Sequence, residues 1–318
     1  MDGLLGPQDD LLSIACAHAR DVDALCDDVA SIIFPSAVHT PSEATISAVS
    51  VKLLQIVRDI EARLHGATPE STCGPLLARS GFLRKTDIVD FALARVAEDN
   101  LIARLGSGFS QLAVELLDHA DTHVIEAAQA LLAADSLQVR SQGRSYLTLP
   151  PEILHKMCWR IVAALELLSG NRSDNVIHNA RALIASYDEA QTATASARKI
   201  VHFLGDENRV ALSNPHHAGV HLLVAYLSAD LNIGHDHILR LIDFESAFPM
   251  MVMLAAAGFP EQAALQTMID LRSQKLSARE AALFEADYAH FIPEMARQQI
   301  SDWSSARSRF LSYGPTLT

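Results

Sequence analysis

The sequence predicts an all-α fold, a multi-helix array with a HEAT-like, α-solenoid central part. Three observations predict it. Apolar residues recur at three- and four-residue spacing in one segment after another, the period of an amphipathic helix. Ala and Leu dominate, both strong helix formers, and aromatics are only 6%, low for a β-sandwich or barrel. Each segment is short and punctuated by Gly, Pro, Asn or Asp, the rhythm of stacked helices.

The first helix is predicted from about Asp10 to Phe34, with Leu11, Ile14, His18, Val22, Leu25, Val29 and Ile32 as its stripe and Pro35 as its stop. Thr40-Pro41-Ser42-Glu43 then reads as a helix start. Thr40 is the N-cap, Pro41 the pre-set first turn and Glu43 the carboxylate that reaches back. This second helix carries Ile46, Val49, Leu53, Ile56 and Ile60 and ends at His65-Gly66. Gly66 to Pro75 is the clearest loop of the N-terminal half and a candidate domain boundary. Shorter helices follow: Leu76 to Ser80, Thr86 to Leu105, Ser110 to His119 and Thr122 to Ala134.

Pro150-Pro151-Glu152 opens another helix, with Leu154, Met157, Ile161, Leu165 and Leu168 inward and Gly170 closing it. Ser173-Asp174 opens a long one reaching Leu204, whose polar middle, Tyr187 to Ser196, is a candidate break. The last third repeats a short rhythm: His217 to Ala229, Asp236 to Phe244, Ser246 to Ala257 and Glu261 to Leu271. A C-terminal stretch from Ala278 to Phe310 is interrupted at Pro293. The expected organisation is an N-terminal helical pair over residues 1–72, a HEAT-like body over 73–277 and a docking segment over 278–318.

Composition excludes several function classes. The formal charge is −13, and no Lys/Arg run exceeds the pairs Arg84-Lys85 and Arg198-Lys199. A nucleic-acid binder needs a basic stripe to release counterions from phosphates, so neither nucleic acid nor an anionic membrane is expected as a partner. Cys16, Cys26, Cys73 and Cys158 are scattered, without a CxxC. Cys16 and Cys26 on one helix would stand about 15 Å apart at the helical rise, too far to bridge. Reduced thiols, an acidic N-terminus (Asp2, Asp9, Asp10) where a signal peptide is basic, and a longest apolar run of only Met250 to Phe259 predict a cytoplasmic protein.

Leu149-Pro150-Pro151-Glu152-Ile153-Leu154-His155 with Trp159 to Leu165 forms one patterned element. Leu222-Leu223, Ile238-Leu239 and the run Leu254-Ala255-Ala256-Ala257-Gly258-Phe259-Pro260 with Ala263 form another. In the middle, Asp121, Val124, Ala127/Ala128 and Leu131/Leu132 follow the second helix of a HEAT repeat, an Asp cap followed by small residues that admit a neighbouring helix. Together these resemble the bacterial family called domain of unknown function 2336, over about Leu76 to Leu271. The resemblance implies an all-α, HEAT-like body. It brings no established activity, and no functional residue is carried over from it.

Fourteen histidines is a high count, and they cluster. His217 and His221 are i, i+4, the spacing that puts two imidazoles on one helix face as in metal-binding helices. His216 precedes them, and His235, Asp236 and His237 follow. Ala218 stands where a catalytic Glu would be, so the expectation is no metal, with His217, His221, His235 and His237 as the residues any metal would use. His178 and His235 are the candidates for a phosphoacceptor histidine, without a phosphoacceptor box around either. No GxSxG, P-loop or GxGxxG is present, and no cofactor is expected. Met250, Met251 and Met253 with Phe248 read as core, or as the adaptable groove that Met-rich surfaces make.

The aromatic C-terminus is the interaction candidate. Phe284, Tyr288, Phe291, Trp303 and Phe310 form a face that must be buried on the body or on a partner. The function expected is therefore a non-catalytic cytoplasmic interaction, scaffold or regulatory protein presenting a helical surface to another protein or to its own copy. Two alternatives stand beside it: a metal-dependent enzyme or sensor on the cluster His216 to His237, and a signalling protein with a phosphoacceptor histidine.

Overall fold

A computed structural model describes residues 43–65, 73–106, 110–140, 145–171, 173–244 and 246–313. The helix predicted from Asp10 to Phe34 and most of the loop after Gly66 lie outside the described residues. Every regular element described is helical, and no strand occurs among the described residues.

The chain divides into two compact units, which are interleaved in sequence. One gathers the described residues of Thr40–Val96 and Arg140–Glu189. The other gathers those of Ala97–Val139 and Ala190–Thr318. This departs from the three consecutive segments read from the sequence. Helix α1 (Glu43–His65) packs with α2 (Gly74–Arg79) and, far down the chain, with α6 (Pro151–Ser169) and α7 (Asp174–Ser186), because its stripe is their complement. The C-terminal helices belong to the second unit and are not a separate body.

In the first unit, Val49, Leu53, Ile56 and Ile60 of α1 are fully buried. They meet Leu154, Met157 and Ile161 of α6, and Val176 and Ala180 of α7, in one apolar core. Gly170 ends α6 in the left-handed region at φ 69°, and the Ser173 hydroxyl accepts from Val176 N to start α7. Polar ties fix the packing. Arg63 Nε donates to the Tyr146 hydroxyl at 2.9 Å, the Asn179 side chain to Leu64 O at 2.9 Å, and the Tyr187 hydroxyl to Leu149 O.

The chain from Ser173 to Leu204 is two helices. Helix α7 stops at Ser186, a short 3-10 turn covers Glu189–Gln191, and Thr192 caps α8 (Ala193–Leu204). The polar segment singled out as a break is where the chain turns, because it carries too few apolar residues to bury a helical face.

The second unit is built round α10 (Pro215–Leu231). Val220 to Leu227 are buried without interruption, so this helix is enclosed on all sides and not amphipathic. Helix α8, the short α9 (Arg209–Leu212) and α4 (Gln111–Glu115) pack on it, followed by α11 (His235–Asp243). The C-terminal half of α3 (Thr86–Leu105) and α5 (Thr122–Arg140) complete this end of the unit. Helices α12 (Phe248–Ala256), α13 (Glu261–Arg272), α14 (Ala278–Asp287) and α15 (Pro293–Tyr313) continue it, with α15 laid along α12. Arginines tie loop carbonyls together. Arg209 reaches Asp230, the Tyr226 hydroxyl and Ala257 O, and the fully buried Arg272 reaches Ile242 O and Phe244 O.

Candidate functional site

The histidine-rich stretch lies in the second unit, where the structure separates residues that the sequence reads as a pair. Pro215 opens α10, and the Asn214 side chain accepts from the backbone N of His216 and His217. Four residues in, Gly219 takes φ 72°, ψ 173°, which is not helical. A side chain there would meet Ser110 Cα and Cβ at 3.3 Å, so only glycine lets α4 approach. His217 and His221 therefore stand on opposite sides of a kink and share no helix face, which corrects the i, i+4 reading.

His216, His217 and His221 go to different carboxylates. His217 Nε2 meets Glu115 at 2.9 Å on the surface, and His216 Nε2 meets Asp270 at 3.4 Å. His221 is buried. Its Nδ1 lies 3.0 Å from Asp135 Oδ1 and its Nε2 3.3 Å from Glu98 Oε1. His235, 2% exposed, brings its Nε2 to 3.9 Å from the same Glu98 oxygen. His237 is half-buried in the same first turn of α11. Four helices thus meet at one buried polar cluster of two carboxylates and two imidazoles.

The field at His221 is decided by two opposing effects. Burial disfavours its charged form, but Asp135 and Glu98 together outweigh burial and push its pKa up to about 10. At neutral pH the ring is an imidazolium between two carboxylates. An imidazolium has no free lone pair, so in this state neither ring nitrogen is a metal ligand. Among the described residues no group of three His, Cys, Asp or Glu is placed to hold a metal ion.

The sequence also carries a signal for Glu98 and Asp135, which lie outside the histidine cluster. Asp135 follows Val124, Ala128 and Leu131 on the buried stripe of α5, and Glu98 follows Ala94 and precedes Leu101 on that of α3. A carboxylate on a core stripe demands a buried partner. The phosphoacceptor reading meets burial at His235, which solvent does not reach, while His178 sits exposed on α7. The described cysteines, Cys73 and Cys158, are buried thiols outside any disulfide, and burial pushes the Cys158 thiol up to about 12, where it is no nucleophile.

The second constellation is apolar. Of the α12 methionines, Met250 and Met253 are wholly buried core, while Met251 lines a half-open cavity of about 510 Å³. Phe248, Met268, Phe291, Ile292 and Met295 line it too, with Glu280, His290 and Gln299 as polar members. Three rim residues are largely exposed: Phe248 at 48%, Ile292 at 53% and Met295 at 68%.

Glu280 anchors this cavity. Its Oε1 accepts from Ala247 N at 2.9 Å, tying the start of α14 to the start of α12. Its Oε2 accepts from the backbone N and hydroxyl of Ser277 at 3.0 and 2.8 Å, a capping box. Burial raises its pKa, but these donors and the charge of Arg272 prevail, holding it below the usual carboxylate range.

The five aromatics expected as interaction residues divide. Phe284 is fully buried and stacks on Tyr288 at 4.5 Å, and the Tyr288 hydroxyl donates to Phe259 O at 3.0 Å. Both are core of their own unit. Phe291 is half-buried between Tyr288 and Phe248 and faces the cavity. Trp303 is half-buried on α15, and the side chain of Phe310 lies outside the described residues. Among the described residues no helix is long and apolar enough to cross a membrane. No family model, no curated protein and no solved structure matches this chain.

Proposed function

We propose that this protein is a non-catalytic cytoplasmic interaction or scaffold protein, and that it presents the α12–α15 face of its second unit to another protein. One observation carries the reading: the half-open apolar cavity whose rim leaves Phe248, Ile292 and Met295 largely in water. Scattered exposed apolar residues are ordinary, but a contiguous group around a cavity marks a binding surface. The three lining methionines, Met251, Met268 and Met295, support it further, since their unbranched, polarisable side chains adapt to a partner's shape. Consecutive packing of α11 to α14 supports the HEAT-like reading of this part, as does the resemblance to the bacterial domain of unknown function 2336.

The test compares two baits. Wild-type protein and the double variant Ile292→Ser/Met295→Ser are used to capture binders from native lysate, with circular dichroism showing that both are folded. A binder held stoichiometrically by the wild type and lost by the variant supports the proposal. Identical binders on both baits, with the same assembly state in light scattering, would overturn it.

A further inference from the structure

We infer that the occupant of this cavity is a basic amphipathic helix of a partner protein, its apolar face seated against α15 and a lysine or arginine directed to Glu280. The inference rests on the interaction reading above and goes beyond it by stating the partner's chemistry.

The shape favours a helix. Ile292, the residue just before α15, and Met295 and Gln299 on it follow one another at three- and four-residue spacing, so they form one stripe at the start of α15. Ala296 and Ile300, on the adjoining face, are buried. A helix with an exposed apolar stripe bordering a groove is the arrangement that receives another amphipathic helix, anchored by side chains at i, i+3, i+4 and i+7. A cavity of about 510 Å³ admits a few such anchors.

The charge selects the sign. From Ala278 to Ala296 the sequence carries Glu280, Glu285, Asp287 and Glu294 against a single Arg279. Nearby cations are already engaged: Lys275 with Asp243, and Arg297 with Asp230 and Ala256 O. Arg272 is buried against the carbonyls of Ile242 and Phe244 and lends its field to Glu280. Among the described residues Glu280 accepts from two backbone N–H groups and one hydroxyl, three bonds of the roughly four an ionised carboxylate can accept, which leaves acceptor capacity at the cavity wall. An incoming ammonium or guanidinium would also enter a cavity lined by the aromatic rings of Phe248 and Phe291, whose centroids are 6.2 Å apart. A second copy of this chain would bring −13 against −13, and an acidic helix would meet the same repulsion.

The experiment uses a fluorescent Leu/Lys amphipathic helical peptide of about 18 residues, or five turns. Its controls are a scrambled peptide of identical composition and a Leu/Glu counterpart. In anisotropy, the Leu/Lys peptide binds the full chain, and the two controls bind at least tenfold more weakly. Ile292→Ser/Met295→Ser, altering side chains already more than half exposed, weakens the Leu/Lys peptide at least tenfold while leaving the melting curve in place. Glu280→Gln weakens it and flattens its salt dependence. Equal binding of the scrambled peptide would reduce the effect to general charge attraction and overturn the inference, as would equal binding of the Leu/Glu peptide or an unaffected double variant. A dimer in light scattering that the double variant abolishes would make a second copy the occupant. That result overturns the basic partner while leaving the interaction reading intact.

Discussion

Replacing His221 by Leu removes the cation that Glu98 and Asp135 share, and the structure sets the scale of the loss. The imidazole pKa rises from 6.5 to about 10 on folding. A shift of that size corresponds to about 5 kcal/mol of preferential proton binding by the folded state. Because the folded value lies above the unfolded one, this contribution is fully present below about pH 6.5. It drains away as pH rises toward 10, at no more than about 1.4 kcal/mol per pH unit for one proton. Breaking a buried ion group by removing one member costs about 3–5 kcal/mol, because the remaining charges stay buried without their counter-charge. The assay is urea unfolding followed by circular dichroism at pH 6, 7, 8, 9 and 10. Wild type should lose stability across that range, and His221→Leu should start lower and lack the slope. Replacing all three groups by apolar residues (Glu98→Met, Asp135→Leu, His221→Leu) should recover most of the loss, since no buried charge of the trio is then left. If His221→Leu does not fold, the wild-type pH series and the triple variant still decide the matter. A wild-type stability that is flat from pH 6.5 to 10 would refute the claim that a charged His221 holds these helices together.

Three further outcomes follow from the same structure. Gly219→Ala should destabilise by about 1–3 kcal/mol, because φ 72° strains any side chain and Ser110 stands 3.3 Å away, and thermal melting reads the loss. Phe284→Ala should cost about 3–5 kcal/mol, as a fully buried ring stacked on Tyr288 is replaced by a cavity, and denaturant titration measures it. His217→Ala should cost less than about 1 kcal/mol, because its pair with the half-exposed Glu115 is screened by water, and a loss approaching that of His221→Leu would show that the two histidines act as one unit.

Much of the fold was legible because helices are set by short-range pattern. The stripe from Ile46 to Ile60 lies in the helix observed over Glu43–His65, while the Thr40-Pro41 start lies outside the described residues. Gly170 and Ser173 mark the end of one helix and the start of the next, and Pro293 begins α15. The polar run after Tyr187 marked the break between α7 and α8. These features act within one or two turns, where sequence neighbours are spatial neighbours.

The sequence by itself determined the all-helical class, most helix limits, the acidic charge and which faces had to be buried. It did not determine which buried faces meet. Glu98, Asp135, His221 and His235 come from four helices spread over much of the chain, and no local pattern records that they share a site. The i, i+4 spacing of His217 and His221 promised a common face, and a glycine between them, needed only because Ser110 packs against it, took that face away. Whether Phe284 is core or surface, and whether Met251 lines a cavity while Met250 does not, is likewise settled by the neighbours each helix acquires. Periodicity fixes the direction of a side chain relative to its own helix, and only tertiary packing fixes what stands opposite it.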